Sequence, residues 1–209
     1  MTKLYFTELA CNGWGSALTL MIQNLLCLYG WTMLAFTLPA GEQTERGRTK
    51  AKKFWRDSNH PKLNRATDIV TRLVKQMGLE KGSRVLLLGD STTSHCIDRQ
   101  HGWHNNRHVY SYEARNTMQQ DVLTATGIEV HHFGVSTTSF EGYDNFFVWL
   151  ENAVERNKDD TPYDAILLIG GWNQTLGGWN RIANSKQEMV TYLEPILTAF
   201  TDACEAALV

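Results

Sequence analysis

Three short polar turns, each led by glycine, hold the residues of this sequence best suited to chemistry: Gly89-Asp90-Ser91-Thr92-Thr93-Ser94, Gly134-Val135-Ser136-Thr137-Thr138-Ser139 and Gly170-Gly171-Trp172-Asn173-Gln174. Gly89 permits a sharp exit from a preceding strand. Ser91 would then sit at the start of a helix, where unpaired backbone N–H groups and the helix dipole favour a developing negative charge. That is a seat for a nucleophile. The backbone N–H of Gly134 can approach a substrate oxygen with no side chain in the way, and Asn173 offers a carboxamide donor beside it. Ser91, Gly134 and Asn173 therefore make a candidate nucleophile and oxyanion hole, with Gly89, Asp90 and Gly171 as supporting loop residues. Taken singly, each has an ordinary explanation as a helix cap, a strand end or a turn residue.

The turns need a scaffold that brings them to one place. Arg84 to Gly89 is an unbroken apolar run ending in glycine, and Ile128 to Gly134 and Asp164 to Gly170 repeat the form, as buried parallel strands do. Helical patterns lie at Leu63 to Met77, Tyr112 to Ala125 and Asn145 to Arg156, and Met189, Leu193, Ile196, Phe200 and Ala203 mark one face of a last helix. Alternating strands and helices predict an α/β fold with a parallel sheet and right-handed crossovers, whose functional groups gather beyond the carboxyl ends of the strands.

Leu88-Gly89-Asp90-Ser91, Gly134 with Val135-Ser136, and Gly171-Trp172-Asn173, in this order after three successive strands, resemble blocks one to three of the SGNH or GDSL-type hydrolase family. The resemblance spans the chain from about Arg84 to Leu176. It implies a flavodoxin-like α/β/α sandwich and an esterase in which Ser91 is the nucleophile, while Ser91 N–H, Gly134 and Asn173 form the oxyanion hole. It implies no cofactor and no metal, and a small-molecule acyl or acetyl ester as substrate. Gln174 stands where members of the family often have Asp.

The family's base is a histidine in an Asp-x-x-His segment after the last strand, and a serine hydroxyl needs such a base. The chain after Asn173 contains no histidine, and Asp202-Ala203-Cys204-Glu205 has Glu at the matching place, so the hydrolase core is expected to be truncated at its C-terminus. His95, His131 and His132 are the nearest stand-ins. Cys96 with His101, His104 and His108 fits no strong metal-ligand spacing and reads as a polar loop pinned by Trp103.

Residues 1–41 read as an apolar N-terminal segment, 42–62 as a basic linker and 63–209 as the partial hydrolase-like domain. The run from Ala17 to Leu38 is 22 residues long, against the roughly 20 that cross a bilayer, so it predicts either a membrane anchor or a buried hairpin or extension. Were it to span, Arg46, Arg48, Lys50, Lys52, Lys53 and Arg56 would place the following domain in the cytosol; otherwise the protein is cytoplasmic. Cys11, Cys27, Cys96 and Cys204 lack paired spacings and read as reduced thiols. Asn173-Gln174-Thr175 is a glycosylation sequon, and a glycan there would abolish the site, which agrees with a domain that stays out of the secretory lumen. A formal net charge of -2 gives no attraction to nucleic acid.

Two other readings stand beside the esterase. One keeps the fold and drops catalysis, leaving an incomplete domain or binding module. The other is a nucleotide or S-adenosylmethionine site, which fits worse: the loop after Arg84 to Gly89 has one glycine instead of Gly-x-Gly-x-x-Gly, and the second strand ends in His131-His132-Phe133 with no acidic residue for a ribose.

Overall fold

The structure, a computed structural model, describes residues 3–7, 17–55, 60–90, 93, 112–134, 138–141, 145–170 and 185–209. Its strands are β1 (Leu4–Thr7), β2 (Thr32–Met33), β3 (Arg84–Gly89), β4 (Glu129–Gly134) and β5 (Ala165–Ile169). Its helices are α1 (Ala17–Leu28), α2 (Glu45–Lys50), α3 (Leu63–Gln76), α4 (Tyr112–Thr126), α5 (Phe146–Asn157) and α6 (Lys186–Ala206), with a 3-10 turn at Ala40–Glu42.

Alternation along the strands decides what each face buries, because successive side chains point to opposite sides. Leu86, Leu88, Ile166, Leu168, Leu4 and Phe6 face one cluster, which Leu25 and Leu26 of α1, Leu150 of α5 and Leu197 and Phe200 of α6 complete. Val85, Leu87, Ala165, Leu167 and Ile169 face the other, filled by Ile69, Val70, Leu73 and Val74 of α3 and by Met118 and Val122 of α4. The result is an α/β fold with helices on both sides of a parallel sheet, as the recurring apolar runs predict. Among the described residues, side-chain caps start three of the helices: Thr44 accepts from Gly47 N–H at 3.0 Å, Asn145 from Val148 N–H at 3.0 Å and Ser185 from Glu188 N–H at 3.2 Å.

The sheet has five strands in the order β2-β1-β5-β3-β4, every neighbouring pair parallel. Numbered cyclically from β3, so that β3, β4 and β5 come first and β1 and β2 follow, the same order reads 2-1-3-4-5, a common doubly wound arrangement. Beyond β5 the sheet continues through β1 and β2, which come from the start of the chain.

The N-terminal third adds two strands to the sheet and a helix to its core. The apolar run 17–38 divides into the 12-residue helix α1, the short strand β2 and a stretch without regular secondary structure. Ile22, Leu25, Leu26 and Trp31 are buried in the core, and the Trp31 indole donates to Thr201 Oγ1 of α6 at 2.9 Å. Among the described residues no helix is long and apolar enough to cross a membrane.

Among the described residues of the stretch 42–55, three are buried. Glu42, Arg48 and Trp55 are 6%, 0% and 2% exposed. The Glu42 carboxylate receives the Arg65 guanidinium of α3 on one oxygen and the Trp55 indole N–H on the other, and Arg48 Nη1 donates to the Glu42 carbonyl at 3.2 Å. A buried carboxylate is tolerable only when it is paired and hydrogen-bonded in this way, so the charges that give the stretch its linker-like composition are partly spent on packing it against α3.

Candidate active site

The carboxyl ends of β3, β4 and β5 lie level. Gly89 is the Cα partner of Gly134 on one side and of Ile169 on the other, and Asp90 N–H continues the ladder to the Ile169 carbonyl at 3.3 Å. The three glycine-led turns of the sequence thus leave the sheet at one rim, from adjacent strands. Ser91, Gly171 and Asn173 themselves, with the stand-in His95 and the cluster Cys96, His101, His104 and His108, lie outside the described residues.

What surrounds the first turn is tightly specified. Asp90 and Thr93, either side of Ser91, are 1% and 2% exposed, and the Asp90 carbonyl accepts both the Thr93 N–H at 3.1 Å and its hydroxyl at 3.0 Å. A Cβ at Gly89 would fall 1.8 Å from Thr93 Oγ1, so no side chain fits there. A Cβ at Gly170 would meet Phe146 Cζ at 2.8 Å and Asp90 Oδ2 at 3.2 Å; the missing side chain lets the Asp90 carboxyl lie against the end of β5. Glycine is needed at both strand ends for close approach and not for an unusual φ.

The two histidines before Gly134 part company, as neighbours on a strand must. His131 faces Tyr163 and Glu129, with Nδ1 3.0 Å from the Tyr163 hydroxyl and Nε2 2.6 Å from Glu129 Oε1. Burial pushes the Tyr163 phenol up to about 12 against the pull of Arg84, with Glu129 and Asp160 adding to the rise. His132 is 4% exposed and turns toward Thr93, its Nε2 3.1 Å from Thr93 Oγ1.

The strand order draws one more histidine into consideration. Counted cyclically from β3, the last strand is β2, and the segment that follows it contains Asp57-Ser58-Asn59-His60, an Asp-x-x-His. His60 is half-buried, three residues ahead of α3; Asp57 to Asn59 lie outside the described residues. A crossover between parallel strands must carry the chain back to the starting end of the sheet, so the start of α3, with His60 just ahead of it, belongs on the side where the strands end. The Asp-x-x-His stands ahead of Ser91 in the sequence, and only the strand order connects it with the rim.

A cavity of about 570 Å³ lined by Gln119, Asp121, Glu129 and His131 opens at the starting end of β4 and is no part of this rim. Among the described residues no cluster of His, Cys, Asp and Glu could hold a metal ion. Compared with protein-family models, curated proteins and solved structures, the chain matches none.

Proposed function

We propose that the chain is a serine ester hydrolase of the SGNH or GDSL type whose flavodoxin-like strand order is cyclically permuted, with the base contributed from ahead of the nucleophile. Ser91 attacks the acyl carbon of a small ester. The backbone N–H groups of Ser91 and Gly134 and the carboxamide of Asn173 receive the negative charge that develops on the carbonyl oxygen. His60 takes the serine proton, Asp57 orients and balances the imidazolium, and that proton passes to the leaving alcohol. Water, deprotonated by the same histidine, then releases the acid from the acyl-enzyme.

The observation that carries this reading is the parallel register that sets Gly89 between Gly134 and Ile169, so that three turns with the residue types of a nucleophile and an oxyanion hole start from one rim. The cyclic 2-1-3-4-5 order adds a reason to look for the base after β2, where an Asp-x-x-His stands. The test is labelling by a fluorophosphonate with the modified peptide mapped. The expected result is a single adduct on Ser91, absent in Ser91→Ala, together with hydrolysis of a short-chain ester. No adduct and no turnover would leave a non-catalytic binding domain on the same fold.

A further inference from the structure

We infer that His132 is a positioning residue that holds the turn carrying Ser91 by hydrogen-bonding Thr93, an assignment that rests on the hydrolase reading. His132 lies on the face of β4 that packs against α3 and α4, where its strand neighbour Val130 and its Cα partner Leu87 are wholly buried and apolar. A polar ring on such a face, 4% exposed, requires a partner. One partner is Thr93 Oγ1, 3.1 Å from Nε2.

The direction of that bond follows from counting protons. A hydroxyl has one proton to donate, and the Thr93 hydroxyl donates it to the Asp90 carbonyl at 3.0 Å. His132 Nε2–H is therefore the donor to Thr93. The order His132 to Thr93 to Asp90 ties β4 to the chain on both sides of Ser91. Packing reinforces it: the position a Cβ would take at Gly89 is 1.8 Å from Thr93 Oγ1 and 3.0 Å from His132 Nε2, so the three residues share one space. The His132 backbone N–H is separately occupied by Gln119 Oε1 at 3.0 Å, which fixes this stretch of the edge strand from α4. A nucleophile displaced by a fraction of an ångström loses rate without losing substrate affinity, and that distinguishes positioning from binding.

The experiment is steady-state kinetics with p-nitrophenyl acetate and the rate of fluorophosphonate labelling of Ser91. His132→Leu is expected to lower kcat by about tenfold or more with KM unchanged. His132→Gln, which can present an N–H near the place of Nε2, should recover most of that loss. Thr93→Val should match His132→Leu, and the double variant should be no slower than either, since both remove one interaction. Thr93→Val also serves if His132→Leu does not fold. Wild-type kcat in His132→Leu or Thr93→Val, or a fall in KM-dependent binding alone, overturns the positioning role while leaving the hydrolase standing. Wild-type protein that neither turns over nor labels overturns the hydrolase reading and this inference with it.

Discussion

Trp55 and Pro61 face each other across an isolated antiparallel bridge, and Lys62 N–H reaches the Phe54 carbonyl at 2.8 Å, so the chain carrying Asp57 and His60 leaves and returns at one closed point. That point is anchored below by the Trp55 indole on Glu42, and Glu42 by Arg65 at the start of α3. The segment proposed to supply the base is thus tied to the core through one buried carboxylate.

Removing that carboxylate should be costly. Glu42→Ala takes the buried counter-charge from the Arg65 guanidinium, only 9% exposed, leaving it the partly exposed Asp68 carboxylate at 3.0 Å, and breaking a buried pair from one side typically costs up to about 3–5 kcal/mol. Urea or thermal unfolding should register the loss as a melting point lower by roughly 6–20 °C. A melting point unchanged from wild type would mean that residues 42–62 are not packed as described.

The C-terminal helix is expected to be integral to the fold. Phe200 stacks on Trp31 at 5.8 Å between ring centres and meets Phe140 and Phe147 edge-on at 5.4 and 5.3 Å. Phe200→Ala should destabilise by about 3–5 kcal/mol, from lost transfer free energy and the cavity left behind. Equilibrium denaturation checks this; a loss under about 1 kcal/mol would detach α6 from the core.

Alkaline stability should depend on Tyr163. Its phenol ionises near 10.0 when unfolded and near 12 when folded, because burial disfavours the phenolate. Below pH 10 both states keep the proton and stability is unaffected; between pH 10 and 12 only the folded state keeps it, so stability falls as pH rises. Denaturation midpoints across this window should drop less steeply in Tyr163→Phe than in wild type.

The thiols should separate by reactivity. Cys204 is fully buried in the core and its thiol is pushed well above the usual range by burial, with Glu205 adding to the effect, whereas Cys27 is exposed on α1. Since the thiolate is the reactive species, brief iodoacetamide treatment followed by peptide mapping should modify Cys27 and spare Cys204 until denaturant is added.

Much of this architecture is legible locally. The runs Arg84 to Gly89, Ile128 to Gly134 and Asp164 to Gly170 contain their strands, and the apolar stripe Leu63 to Met77 matches α3 to within a residue, because burial on both faces of a sheet or on one face of a helix writes itself into short stretches of sequence. β1 is not legible that way. Leu4–Thr7 is four residues long and acquires its meaning from Ile166 to Ile169, some 160 positions away. Without that pairing, α1 and β2 read as one apolar run, although α1 buries only part of its surface and leaves Leu20 and Leu28 exposed. Glu42 fails similarly: a charge buried by a guanidinium 23 residues on looks like any linker charge. For the site, the glycines at 89, 134 and 170 announce themselves, while His60 is found only through the order of strands in space.

The most direct test of the account is the turnover of His60→Ala. With a short-chain ester and purified full chain, kcat/KM should fall by about 10⁴-fold or more, to the level of Ser91→Ala, because nucleophile and base act as one unit. Near wild-type turnover in His60→Ala, with Ser91→Ala inactive, would contradict the permuted arrangement and assign the base to another residue.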